Sequence, residues 1–275
     1  MEKLERDTDS KSFKRLKNEV SRMIGVDYDN YSRSHLRRRF HARMRVVETP
    51  RFIDYLNYLK RNEEEIENLR ELLAVNVTKF KRDKKVWDTI EDQVIPQILE
   101  RKKESILKKI EAWSAGCSTG EEPYSLAISY LNNRPPDDVS LRIKATDLDE
   151  KALDFARNAE YPAKSVKNLS RSDMKIYLEK EDDERWGLKD EVKDLVNYKE
   201  SDIFETSFTK KFDLILCRNL MIYFTGESKT ELMERLVESL KDGGFLIIGM
   251  SENLRSPAKE KVESFDLKKR IFIKK

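Results

Sequence analysis

The stretch that decides the fold is Ile110-Glu111-Ala112-Trp113-Ser114-Ala115-Gly116-Cys117-Ser118-Thr119-Gly120-Glu121-Glu122. Its first six residues read as a strand, and small residues follow through Gly120. From Glu121 to Leu131 the residues Tyr124, Ala127, Ile128 and Leu131 then share one helical face. Strand, small-residue loop and helix open a parallel α/β unit. The alternation continues downstream, with Leu141–Asp147 as a strand and Glu150–Ala159 as a helix. Phe212–Cys217, Thr225–Leu240 and Phe245–Gly249 repeat strand, helix and strand, and Phe265–Lys275 reads as a final strand pair or a single edge strand. Between these units, 160–200 is polar and less regular, and Val192–Tyr198 is expected to pair as a hairpin arm with Arg185-Trp186.

Upstream the texture is helical. Lys84 to Lys109 carries an amphipathic pattern through Val94, Ile98 and Ile106, and residues 1–75 contain no glycine but Gly25. Between Lys11 and Arg61 there are 14 basic and 5 acidic residues, an excess hidden by a whole-chain net charge of only +3. Within it, Arg33 to Arg45 holds six arginines and no acid. Leu36, Phe40, Met44 and Val47 form one apolar stripe, so Arg38, Arg39, Arg43 and Arg45 are expected to face outward. With no local acid to neutralise them, they predict a binding surface for an anionic partner.

The chain has 275 residues, enough for about two domains. Charged residues make up 39%, against about 25% in ordinary globular chains. No apolar run approaches the ~18 residues of a membrane span, and the first residues lack a signal-peptide core. A soluble, cytoplasmic protein is expected. The cysteines are Cys117 and Cys217 alone, too few for a disulfide framework or a zinc ribbon. The histidines are His35 and His41 alone.

That last count removes a reading of the glycine loop. Gly116-x-Ser118-x-Gly120 between strand and helix spells the nucleophile elbow of α/β-hydrolases. Such an enzyme needs a histidine after the serine, and none follows. Cys117 as a nucleophile lacks the same base. A cofactor loop survives, in which small residues let the backbone approach a ligand. It is not G-x-G-x-x-G, and no lysine follows as in a P-loop. Glu121 and Glu122 suit a helix amino terminus but would repel a phosphate. Asp147 ends the next strand, where an acid can bond the hydroxyls of an adenosine ribose. NAD enzymes share that acid; the acidic helix start favours S-adenosylmethionine, whose sulfonium and amino groups are cationic.

Residues Trp113 to Ser125 resemble the cofactor signature of the chemotaxis receptor glutamate methyltransferases, the CheR type. Asn76-Val77-Thr78-Lys79-Phe80-Lys81-Arg82-Asp83 is similar to that family's Asn-x-Thr-x-Phe-Phe-Arg-Asp. Cys217-Arg218-Asn219-Leu220-Met221-Ile222-Tyr223-Phe224 resembles its Cys-Arg-Asn-Val-x-Ile-Tyr-Phe, and Gly243 through Leu254 resembles its late strand with a Ser-Glu ending. The resemblance implies an α/β class I methyltransferase, Rossmann-like with a mostly parallel sheet, carrying an all-helical N-terminal domain and a small inserted β-subdomain. Residues 1–75 would be the receptor-docking domain, 76–109 a linker and helix with the Asn-x-Thr motif, and 110–275 the methyltransferase domain, with the insert near 160–200.

By the same resemblance, S-adenosylmethionine would be held by Asn76, Thr78, Arg82, Glu121, Asp147, Asp202, Ile203, Arg218 and Asn219. Arg82 and Tyr223 would meet the substrate carboxylate, and Arg37, Arg38, Arg39, Arg43 and Arg45 would dock a chemoreceptor cytoplasmic domain. No metal, no nucleic-acid partner and a monomer are expected, with S-adenosylhomocysteine as the spent cofactor. Three departures stand out. Lys81 replaces a phenylalanine and implies an altered substrate entrance, Asp202-Ile203 replaces Asn-Leu, and Glu160-Tyr161 replaces Gly-Tyr. The inventory suits the chemistry, because a glutamate ionised at pH 7 needs no general base. Two other readings stay open on the residues: a methyltransferase of the same fold acting on RNA or a small molecule, and a non-catalytic cofactor-binding regulator. Arg218-Asn219-Leu220-Met221 stands where base-amino methyltransferases carry Asp/Asn-Pro-Pro-Tyr, which argues against RNA.

Overall fold

The computed structural model describes residues 2–74, 76–205 and 211–275, with side chains of the first helix from residue 9. The chain divides into two compact units, Met1–Val75 with Tyr223–Lys229, and Asn76–Ile222 with Thr230–Lys275. No described helix is long and apolar enough to cross a membrane.

The helical unit contains α1 (Glu2–Ile24), α2 (Arg33–Val46), α3 (Phe52–Leu59) and α4 (Glu63–Leu73). Phe13, Leu16 and Val20 of α1 bury the same face that their spacing of three and four marks out. Leu36, Phe40 and Met44 of α2 are buried as the stripe predicts, and Val47 lies just past the helix as its C-cap. The Phe13 ring meets Phe40 at 5.8 Å and Phe52 at 5.5 Å. Full burial of side chains of this size contributes about 1.5–3 kcal/mol each.

The expectation that the α2 arginines lack acidic partners is corrected for two of them. Arg43 donates from Nε (2.9 Å) and Nη2 (2.5 Å) to Glu65 of α4, which is 3% exposed and also accepts from Tyr55 Oη at 2.7 Å. Burial alone would raise the Glu65 carboxyl; the Arg43 and Tyr55 hydrogen bonds outweigh it and hold the group below its usual range. Arg37 pairs with Asp9 at 2.8 Å, its guanidinium over the Phe13 and Phe52 rings. Arg38 and Arg45 are exposed and Arg39 is half-buried. The partners of Arg37 and Arg43 come from other helices, so a run free of acids is not a run free of ion pairs.

The second unit begins with α5 (Lys84–Thr89), a π-helical turn (Ile90–Val94) and α6 (Ile95–Lys103). There follow β1 (Lys109–Ala115), α7 (Glu121–Asn132), β2 (Ser140–Asp147), α8 (Glu150–Asn158) and β3 (Glu160–Pro162). Next come α9 (Arg171–Tyr177), β4 (Leu178–Lys180), β5 (Arg185–Leu188), α10 (Asp190–Lys193) and β6 (Val196–Glu200). The chain continues with β7 (Phe212–Cys217), α11 (Gly226–Glu238), β8 (Leu240–Ile248), β9 (Val262–Asp266) and β10 (Ile271–Lys274).

The large sheet has the order β6-β2-β1-β7-β8-β10-β9, parallel from β6 to β8, with β10 antiparallel to both of its neighbours. Successive strands run outward from β1 to β6 and then return to β7 on the other side of β1. That reversal opens a crevice at the carboxyl ends of β1 and β7, where α/β sheets bind ligands. The final segment is the strand pair, with β10 inserted between β8 and β9.

A second sheet, β3-β5-β4, is antiparallel and drawn wholly from residues 160–188. The hairpin expected between Val192–Tyr198 and Arg185-Trp186 is not formed. Val196–Glu200 instead runs parallel to Ile143–Asp147 as an edge of the large sheet. There the backbone of β2 offers unpaired groups that an extended segment can satisfy, and Tyr198 packs edge-on to Tyr124 at 5.7 Å.

Candidate active site

The carboxyl edge of the large sheet gathers most of the residues singled out by the sequence. Gly116 (φ +75°) and Gly120 (φ +90°) occupy left-handed backbone open to glycine. Their lack of a side chain answers to the protein itself. A Cβ on Gly120 would stand 2.6 Å from Tyr198 Oη and 2.8 Å from Ala156 Cβ, and one on Gly116 would stand 2.9 Å from Leu220 Cδ2. These contacts are a second reason for small residues here, beside the close approach of a ligand that the sequence suggests. The loop is pressed against neighbouring segments from behind.

Asp147, at the end of β2, accepts from the peptide N–H of Ser118 (2.7 Å), Leu148 (2.8 Å) and Asp149 (3.1 Å). Burial pushes its carboxyl up, and these three donors pull it back toward the ionised form. Three contacts on a group with about four acceptor sites leave room for a hydroxyl. Ser118, held at φ +49°, donates from Oγ to Asn76 Oδ1 at 2.8 Å. Asn76 in turn donates to Asp149 Oδ2 at 2.7 Å, tying the Asn-x-Thr segment to the glycine loop. Glu121 is buried and accepts from Thr119 Oγ1 at 2.6 Å; Glu122 accepts from Ser114 Oγ at 2.8 Å. Burial raises both carboxyls above their usual range.

Arg218 follows β7 and is a strut. Its Nη2 donates to Asp83 (2.7 Å) and to the Arg82 carbonyl (2.9 Å), and its Nη1 lies 3.5 Å from Glu122. The guanidinium sits over Trp87, its side chain is 2% exposed, and its buried Nε has no partner. Arg82 is half-buried and donates from Nη1 to the Val77 carbonyl at 2.9 Å. Around it, Lys81 (φ +43°), Asp83 (φ +62°) and Asn219 (φ +61°) are left-handed without being glycine. Such residues cost on the order of 1–3 kcal/mol each and persist where the surroundings over-determine them.

Lys81 shows how. Its N–H donates to Ser125 Oγ at 2.9 Å, and its ammonium pairs with Glu91 (2.8 Å) and with Asp173 of α9 (3.1 Å). Asn132 bridges the same two acids at 3.0 and 2.9 Å. Burial would lower the Lys81 ammonium, but the two carboxylates outweigh it and raise it. The side chain is therefore turned inward as a tie between the arginine-bearing turn and the 160–188 segment. The departure at Lys81 is thus accompanied by acidic partners for its charge.

Asp202 and Ile203 lie just past β6, next to the end of β2, and Asp202 Oδ1 accepts from Phe204 N–H at 2.8 Å. Thr78 is half-buried beside Asn76. Tyr223 falls in the segment that clusters with the helical unit, its ring 4.7 Å from that of His35. One residue was given no role by the sequence. Glu252, just past β8, accepts from the N–H groups of Gly249 (2.6 Å), Met221 (2.8 Å) and Asn219 (3.2 Å), fixing the turn that carries Asn219. The signal was the Ser-Glu ending of the late strand, which carried the family resemblance but no role for the acid.

Two family descriptions match the chain. "CheR methyltransferase, SAM binding domain" covers residues 76–271, and "CheR methyltransferase, all-alpha domain" covers 11–74. The chain belongs to the CheR methyltransferase family. Among its relatives is the chemotaxis protein methyltransferase of Listeria innocua, 33% identical over 87% of this chain and 88% of its own length. That of Borreliella burgdorferi is 31% identical over 87% and 89%, and methyltransferase 2 of Vibrio cholerae is 30% identical over 90% and 86%.

As a CheR methyltransferase, the protein uses S-adenosylmethionine and has the Rossmann-like fold of that enzyme class. The carboxyl edge fits this cofactor. Asp147 retains acceptor capacity for a ribose hydroxyl, and the acid Glu121 at the helix start suits a ligand that carries positive charge and no phosphate.

Proposed function

We propose that the protein methylates glutamate side-chain carboxylates on the cytoplasmic helices of a chemoreceptor, leaving glutamate methyl esters and S-adenosylhomocysteine. The observation that carries this reading is that no histidine follows His41 to serve as a general base, while the acids at the carboxyl edge are held by donors of the protein itself. Asp147 and Glu252 are each taken up by three peptide N–H groups, Asp149 by Asn76 and a helix cap, and Glu122 by Ser114 and Arg218. Those donors are contacts within the protein, and the chain's histidines are His35 and His41 alone. A substrate that arrives already ionised suits such a site, and a glutamate does at pH 7.

When bound, S-adenosylmethionine supplies a methyl group on a cationic sulfur. The reading assigns Asp147 to the ribose, with Asn76, Thr78, Glu121, Asp202, Ile203, Arg218 and Asn219 completing the cofactor's surroundings. Arg82 is assigned to the incoming carboxylate by charge, and the Tyr223 hydroxyl orients it. Held by Arg82 and Tyr223, a substrate carboxylate oxygen would take the methyl, and the electron pair of the broken C–S bond would stay on sulfur. The protein contributes placement and charge, which is where a reaction without proton transfer gains its rate. Arg38 and Arg45, exposed on α2, with Arg39 beside them, would meet the acids of the receptor helices. A single cytoplasmic polypeptide acting without nucleic acid belongs to the same proposal.

Incubation with methyl-labelled S-adenosylmethionine and a chemoreceptor cytoplasmic fragment, followed by mild alkali, tests this reading. Label released as methanol is expected. Label that stays on the protein after alkali would overturn the carboxylate assignment.

A further inference from the structure

Tyr223 is held by the helical unit, and by one end of one helix. The N–H of Ser32, the N-cap of α2, donates to the Tyr223 carbonyl at 2.8 Å. The N–H of Thr225 donates to the Asn30 carbonyl at 2.8 Å, and Ser228 Oγ donates to Asn30 Oδ1 at 3.0 Å. Tyr31 forms a β-bridge with Phe224 and packs edge-on to its ring at 5.1 Å. The backbone of 223–228 is thus pinned to the segment 30–32 that starts α2.

His35 completes the arrangement. It lies one turn inside the helix, its N–H bonded to Ser32 Oγ at 3.3 Å, and its ring faces the Tyr223 ring at 4.7 Å with a 51° tilt. The residue is 5% exposed, and its Nε2 is buried without a hydrogen-bond partner. Burial, reinforced by Arg39 and Arg38, lowers its pKa to about 4, so the imidazole is neutral at physiological pH. A neutral aromatic ring, buried and spending only its backbone N–H on the cap, has the phenol as its aromatic neighbour.

We infer that His35 is a positioning residue for Tyr223: its ring sets the orientation of the phenol, and so fixes the reactive tyrosine to the helix that carries Arg38 and Arg45. This rests on the proposed role of Tyr223. Helix α2 then has two faces of one task, because a receptor helix drawn to its arginines is drawn to an element rigidly joined to the tyrosine.

The test uses the full chain with a receptor fragment, comparing Tyr223→Phe, His35→Leu, His35→Phe and the double variant His35→Leu/Tyr223→Phe. His35→Leu keeps an apolar side chain but removes the ring, and is expected to lower kcat by about tenfold, within the range that small misplacements cost. Its affinity for S-adenosylhomocysteine by calorimetry and its melting temperature should stay near those of the parent. His35→Phe restores the ring and should restore kcat. In the Tyr223→Phe background, His35→Leu should cost nothing further, an outcome that a general structural role would not produce. A parental kcat in His35→Leu, or an equal loss in both backgrounds, would overturn the inference alone. A parental kcat in Tyr223→Phe would overturn the reading of Tyr223, and the inference with it.

Discussion

Arginine does opposite work at the end of β7 and along α2. Arg218 is buried, and its charge is spent on Asp83, Glu122 and the Arg82 carbonyl, all from motifs that converge on one edge of the sheet. On α2 the same side chain is divided. Arg43 and Arg37 are paired to acids on other helices, while Arg38 and Arg45 stand in solvent. The excess of positive charge in a run of sequence is thus a sum, and which members remain for a partner is decided by tertiary neighbours. Two of the five arginines assigned to docking serve the helical unit's own architecture.

The largest effect expected from breaking this contrast is at Arg218. Arg218→Met leaves Asp83 and Glu122 uncompensated, and should cost about 3–5 kcal/mol in a urea titration, together with most of the affinity for S-adenosylhomocysteine. Arg43→Met strands the buried Glu65 and should cost about 3 kcal/mol by the same reasoning. Cofactor affinity, read by calorimetry, should be unchanged. If Arg43→Met leaves stability intact, the division of α2 into paired and free arginines is wrong. A smaller loss, about 2 kcal/mol, is expected for Gly120→Ala, whose Cβ would overpack Tyr198 and Ala156 at a positive φ. The Arg38→Glu/Arg45→Glu variant should leave the urea midpoint unchanged, as exposed substitutions commonly do. It should raise the KM for a receptor fragment, most at low salt.

A separate effect is expected in pH. The unfolded chain takes up a proton at His35 near pH 6.5, and the folded chain only near 4. The unfolded state therefore binds more protons between these values. The stabilising contribution is complete above pH 6.5 and is lost as the pH falls through the window to about 4. Urea midpoints measured from pH 7 to 4.5 should fall less steeply for His35→Phe than for the parent.

The strand-loop-helix opening, the position of Asp147 and the helical first 75 residues were legible because each depends on a local period or on one loop. The role of Glu252 was not, because its three donors are peptide groups that follow β7 and β8, and peptide groups leave no trace in residue type. The Arg43–Glu65 pair was hidden for a related reason, its partners being 22 positions apart on separate helices. Val196–Glu200 has too short a pattern to reveal whether it joins a hairpin or the open edge of β2. The glycines were recognised as required, but their protein neighbours were not, since sequence shows that a Cβ is missing and not what lies opposite.

The Lys81 tie has a consequence for heat. Glu91 and Asp173 meet that ammonium in a half-buried setting where the penalty of stripping water from charges is substantial. That penalty shrinks as temperature rises, because ion hydration carries a strongly unfavourable entropy, whereas the gain from apolar burial levels off. Warming should therefore loosen the aliphatic contacts around the arginine-bearing turn sooner than it loosens this ionic clasp, leaving the turn among the last parts of the edge to lose its shape.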